Sequence, residues 1–109
     1  MALLREYKEI AYQWGIWKTE ESPEELLVLL PDPERYEQQL TLFSSPHRKL
    51  EWLSVRVLLY QLLGEEKTIE YAPSGKPHLA DSSYFISISH TRGYVAVILS
   101  PVSEVGIDI

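Results

Sequence analysis

The apolar positions of this chain run first with a strand period, then with a helix period, then with a strand period again. From Ile10 to Trp17, the residues Ile10, Tyr12, Trp14 and Ile16 alternate with Ala11, Gln13, Gly15 and Trp17. Alternation in a stretch rich in aromatic and β-branched side chains predicts a strand. Ser22-Pro23-Glu24-Glu25 then reads as a helix start. The serine can cap, proline suits the first helical position, and Glu25 can reach back to close a capping box. That helix covers Leu26 to Leu30 and stops at Pro31, and a second short one is predicted from Pro33 to Leu42. The longest helix opens at Ser45-Pro46 and stops at Gly64. Its last turns are apolar nearly all round, which places it in the middle of the fold.

Beyond Gly64 the period returns to that of strands. Thr68 to Ala72 is one, and a Pro73-Ser74-Gly75-Lys76-Pro77 turn follows it. Tyr84 to Ser89, with Ile86 and Ile88 on one face, and Gly93 to Ser100 are predicted to form a hairpin through a turn at His90-Thr91-Arg92. Val105 to Ile109 reads as a further strand. The fold class expected is α+β, an antiparallel sheet packed on the long helix. An apolar strand with no polar tail reads as a cut end, so residues 1–109 are expected to be one domain and the first half of something longer.

Composition narrows the partners. A net charge of −6 disfavours wrapping a nucleic-acid backbone, which calls for the opposite sign. A phosphorylated small molecule needs only a local basic cluster, which an acidic chain can supply. The chain has no cysteine, hence no disulfide and no thiolate metal site. No apolar run reaches the ~20 residues that span a membrane, and the charged start MALLREYKEI is unlike a signal peptide. A cytoplasmic protein that engages neither membrane nor nucleic acid is expected.

The candidate chemistry lies in two places. The long helix begins with His47, Arg48 and Lys49, cations at the end where a helix dipole favours anions. A bound phosphate would resolve that conflict. The second place is YFISISHTRGYVAVILSPVSEVGIDI, where Ser89, His90 and Thr91 offer hydroxyls and an imidazole beside a turn, and where Asp108 sits among apolar residues. A carboxylate there calls for a cation or a metal. Plainer readings stand beside these. His90 can be an exposed turn residue, Asp108 can pair with Arg92, Arg56 can pair with Glu51, and Gly75-Lys76-Pro77 can be only a turn. Trp14, Trp17 and Trp52 read as core.

The succession Gly75-Lys76-Pro77, Ile88-Ser89-His90-Thr91 and Val105-Gly106-Ile107-Asp108-Ile109 resembles the N-terminal half of the surfactin-synthetase-activating (Sfp-type) 4′-phosphopantetheinyl transferases. The helix segment RKLEWLSVR, carrying Arg48 and Arg56, is also similar to that superfamily's. The resemblance covers Pro46 to Ile109. It implies an antiparallel α+β half-fold related to its missing partner half by a pseudo-twofold axis. It also implies a Mg²⁺-dependent transferase of the holo-[acyl-carrier-protein] synthase type. Such an enzyme moves 4′-phosphopantetheine from coenzyme A to a serine of an acyl or peptidyl carrier protein.

Carried over position by position, the resemblance implies that Arg48 and Arg56 contact coenzyme A phosphate. Lys76, within Gly75-Lys76-Pro77, would meet the nucleotide end, and Ser89, His90 and Thr91 the phosphates. Asp108 would ligate Mg²⁺. The second metal carboxylate and the C-terminal Lys-Glu motif of that superfamily are not in this sequence. The chain alone is therefore expected to be inactive, and either to self-associate through the face that the missing half would cover or to be marginally stable. The alternative is a non-catalytic coenzyme A or nucleotide-binding regulatory module.

Overall fold

The computed structural model describes residues 3–9 and 11–109. Among the described residues the α+β architecture has nine elements, in the order β1 (Leu3–Lys8), β2 (Gln13–Lys18), α1 (Pro23–Leu27), α2 (Glu34–Leu40), α3 (Pro46–Leu63), β3 (Ile69–Tyr71), β4 (Pro77–Leu79), β5 (Phe85–Thr91) and β6 (Tyr94–Ser100). Four strands form an antiparallel sheet in the order β1-β2-β6-β5, and β3 and β4 form a separate two-stranded hairpin.

The caps act where the sequence places them. At α1 the Glu25 N–H donates to Ser22 Oγ while the Ser22 N–H donates to Glu25 Oε1, a closed capping box. Ser45 Oγ accepts from the Arg48 N–H at the start of α3, and Gly64 ends the helix in the left-handed conformation with φ 73°. Helix α3 packs on β2 and β6. Leu53, Val57, Leu58, Leu59 and Leu62 of α3 share one core with Trp17 of β2, Ile86 of β5 and Val95, Val97 and Leu99 of β6. Gly15 is what lets α3 come this close: a Cβ there would lie 2.7 Å from Leu58 Cδ1.

Glu66, in the loop after α3, fastens the α2 region. It accepts from the Asp32 N–H at 2.8 Å and from the Tyr36 hydroxyl at 2.6 Å, and burial together with that carboxylate pushes the Tyr36 phenol well above its usual range. The opposite face of the main sheet carries Trp14, Ile16 and Ile98. Tyr7 and Tyr12 stand at its edge, stacked at 5.7 Å and 41% and 38% exposed.

The structure corrects several expected boundaries. The strand predicted from Ile10 to Trp17 is β2, Gln13–Lys18; Ala11 and Tyr12 belong to the connection from β1, closed by the Glu9 N–H donating to Tyr12 O, and Ile10 lies outside the described residues. Strand β1 was hidden by its charges, as suits an edge strand. Strand β4 was hidden by Pro77, which an edge position tolerates. Helix α1 begins and ends three residues earlier than Leu26–Leu30. The turn predicted at His90-Thr91-Arg92 is Arg92-Gly93, because Gly93 supplies the positive φ of 82°; His90 and Thr91 remain in β5. Val105–Ile109 forms no ladder. It lies along β5, held by Ile107 N–H to Ser87 Oγ and Ile109 N–H to Ser89 Oγ, both at 3.3 Å. Among the described residues no helix is long and apolar enough to cross a membrane.

Candidate functional site

The first turns of α3, the β3–β4 hairpin and the end of β5 enclose a groove of about 440 Å³, within the size range of small-molecule sites. Residues Arg48, Trp52 and Arg56 recur at intervals of four along α3, so they face it together. The hairpin contributes Tyr71, Gly75 and Pro77, and β5 contributes Ile88 and His90. Gly75, with φ 90°, turns the hairpin end toward the helix, its N–H donating to Ala72 O at 2.8 Å.

Arg56 is the decisive residue. It is 6% exposed, its guanidinium carbon lies 4.0 Å from the centre of the Trp52 ring, and it donates to Trp52 O at 3.3 Å and to the Tyr71 hydroxyl at 3.2 Å. Burial lowers its pKa from the ordinary arginine value, with Tyr71 acting against the shift. Among the described residues no carboxylate lies within ion-pair distance of it. A buried cation with only a ring, a carbonyl and a phenol around it lacks its counter-charge. Among the described residues, two of its five N–H donors account for its hydrogen bonds.

Glu51, the partner that Arg56 could have taken, is engaged elsewhere. Its Oε2 lies 3.3 Å from His47 Nε2 and 3.2 Å from His90 Nδ1, and its side chain is 15% exposed. Arg48 stands exposed at the mouth.

Five of the sequence-derived residues therefore meet here: Arg48, Arg56, Gly75, Pro77 and His90. The others lie apart. Successive strand residues point to opposite faces, so Ser89 and Thr91 project away from His90; the Ser89 hydroxyl accepts from the Ile109 N–H instead. Lys76 lines a second cavity of about 370 Å³ on the other side of the hairpin, with its Nζ 2.8 Å from Glu104 Oε1. That contact holds the Glu104 carboxyl below its usual range. Asp108 is exposed, and among the described residues no three His, Asp or Glu groups stand together as a metal site. One carboxylate does not make a Mg²⁺ centre.

Sequence reasoning missed Trp52 and Tyr71 as groove residues. The signal for Trp52 was its place midway between Arg48 and Arg56. Tyr71 gave none, because its role depends on where the hairpin folds back.

No protein-family model matches the chain. It is 36% identical over 63 residues to the 4′-phosphopantetheinyl transferase AcpT of Salmonella typhi, and equally to AcpT of Salmonella typhimurium. Over that stretch the chain is similar to phosphopantetheinyl transferases. The matched stretch covers 57% of this chain and 33% of each relative, so the chain spans about a third of the length of the curated relatives it matches.

Proposed function

We propose that the groove binds coenzyme A through its phosphates, and that the chain serves as part of a 4′-phosphopantetheinyl transferase. The observation that carries this is Arg56: a guanidinium buried on Trp52 with no carboxylate at hand is organised for an anion from outside. Arg48 and His90 add a second cation and an imidazole, while Phe43, Trp52 and Tyr71 give aromatic walls suited to a nucleotide. The partial likeness to AcpT supports the same reading.

In the reaction proposed, a serine hydroxyl of an acyl or peptidyl carrier protein attacks the β-phosphate of coenzyme A. A new serine O–P bond forms, the pyrophosphate P–O bond breaks, the serine proton passes to water or to a base outside residues 1–109, and 3′,5′-ADP leaves carrying the negative charge. Arg48, Arg56 and His90 would hold the phosphates and offset charge gathering on the leaving group. In the same reading Lys76 would meet the nucleotide end from outside the groove, and Ser89 and Thr91 would reach the phosphates from the other face of β5. Asp108 would be this chain's one oxygen ligand toward Mg²⁺, an ion that would neutralise pyrophosphate charge, and is not a metal centre by itself. The half-exposed outer sheet face, with Tyr7, Tyr12 and Phe85, is where a further part of the fold or a second copy would pack.

Calorimetric titration with coenzyme A tests the binding claim. Heat of binding is expected for the wild type, with about tenfold weaker binding for Arg48→Ala and for His90→Ala. Binding that is absent in the wild type, or unchanged in both variants, contradicts it.

A further inference from the structure

The hydroxyl of Tyr71 carries a hydrogen that the fold leaves unused. Tyr71 is the last residue of β3, and successive strand residues face opposite ways. Ala72 and His78 line the cavity on the far side of the hairpin, whereas Tyr71 lines the α3 groove. There its oxygen accepts a hydrogen bond from Arg56 Nη2 at 3.2 Å. A guanidinium has donors and no acceptor, so this contact takes a lone pair of the phenol and leaves the O–H uncommitted. Among the described residues the hydroxyl makes no other hydrogen bond, and the side chain is half exposed. The bond it accepts from a cation also polarises the O–H and strengthens it as a donor.

We propose that Tyr71 is a binding residue of the groove, its hydroxyl donating a hydrogen bond to the phosphate that Arg56 meets. Donor atoms 3.2 Å apart can reach one phosphate together, the guanidinium with its remaining N–H groups and the phenol with its O–H. The proposal rests on reading the groove as a coenzyme A phosphate site. It adds a directed hydrogen bond to the aromatic wall that Tyr71 already forms. It also gives the β3–β4 hairpin, a sheet of its own, a part in binding: the hairpin carries to the groove a hydroxyl donor that α3 does not place there.

Two plainer roles compete with this one. Tyr71 could contribute its ring alone, or its oxygen could serve only to hold Arg56. Tyr71→Phe keeps the ring and removes the hydroxyl, and Arg56→Met removes the group that the oxygen would hold. A calorimetric titration with coenzyme A on the wild type, the two variants and the double variant therefore separates all three.

Tyr71→Phe is expected to bind coenzyme A about tenfold more weakly than the wild type. In the Arg56→Met background the same change is expected to weaken binding again, by about threefold or more. Unchanged binding in Tyr71→Phe overturns the proposal, and so does a loss that vanishes in the Arg56→Met background, which would make the tyrosine a support for Arg56 only. Circular dichroism follows folding. A Tyr71→Phe chain that does not fold overturns the proposal too, since the hydroxyl would then be structural; should Arg56→Met not fold, Tyr71→Phe alone decides. A wild type that ignores coenzyme A refutes the coenzyme A reading and this proposal together, whereas equal binding by wild type and Tyr71→Phe refutes the proposal alone.

Discussion

At the scale of single residues, Arg56 separates binding from stability. A guanidinium held at 6% exposure without a carboxylate has given up much of its hydration for a ring stack, a carbonyl and a phenol. Arg56→Met fills the same space without a charge. Its melting temperature is expected to equal or exceed that of the wild type, while coenzyme A binding weakens by about tenfold or more. A thermal melt beside a titration checks both, and a large loss of stability with binding intact would show that Arg56 is structural. The residues behind this were partly legible. Arg48 and Arg56 share a helix face by spacing alone, and the basic start of α3 pointed to an anion. Which cation Glu51 would take was not legible, because the answer depends on β5 returning beside α3. Assigning His90 to a turn also hid the fact that Ser89 and His90 face opposite ways.

At the scale of elements, the groove depends on how closely α3 lies on the sheet. Gly15 sets that distance, with no room for a Cβ beside Leu58 Cδ1. Gly15→Ala is expected to destabilise the chain by about 1–3 kcal/mol through overpacking, read from a denaturant titration. Pairing it with Leu58→Ala should recover part of the loss, since the new methyl would then have space. Local signals served well for helix ends, because Ser22, Ser45 and Gly64 each act on their own few neighbours. They failed for β1 and β4. Edge strands tolerate charge and proline, so their sequences lack the alternation that marks a buried strand. The segment Val105–Ile109 failed the other way. Its residues suit a strand, but they meet serine hydroxyls of β5 rather than a free backbone edge.

At the scale of the whole molecule, an ion pair between two connections, Lys67 and Asp81, contributes to the response to acid. Asp81 accepts from Lys67 Nζ at 2.6 Å and from the Ser83 hydroxyl and N–H, which holds its carboxyl well below the usual range. A carboxyl whose folded pKa lies below its unfolded one adds stability above the unfolded value, and that stability is lost as pH falls through the folded value. Melting temperature should therefore fall as pH drops below the ordinary carboxylate range. Asp81→Asn should start lower at neutral pH and fall less steeply on acidification.

The central claim is that the α3–hairpin groove, rather than the cavity on the far side of the hairpin, receives coenzyme A. Amide chemical-shift mapping of the chain during a coenzyme A titration tests it most directly. The expected result is a set of shifts centred on Arg48, Trp52, Arg56, Tyr71 and His90, with His78 and Phe85 little changed. Shifts centred instead on His78, Tyr84 and Phe85, or none at all, would contradict it.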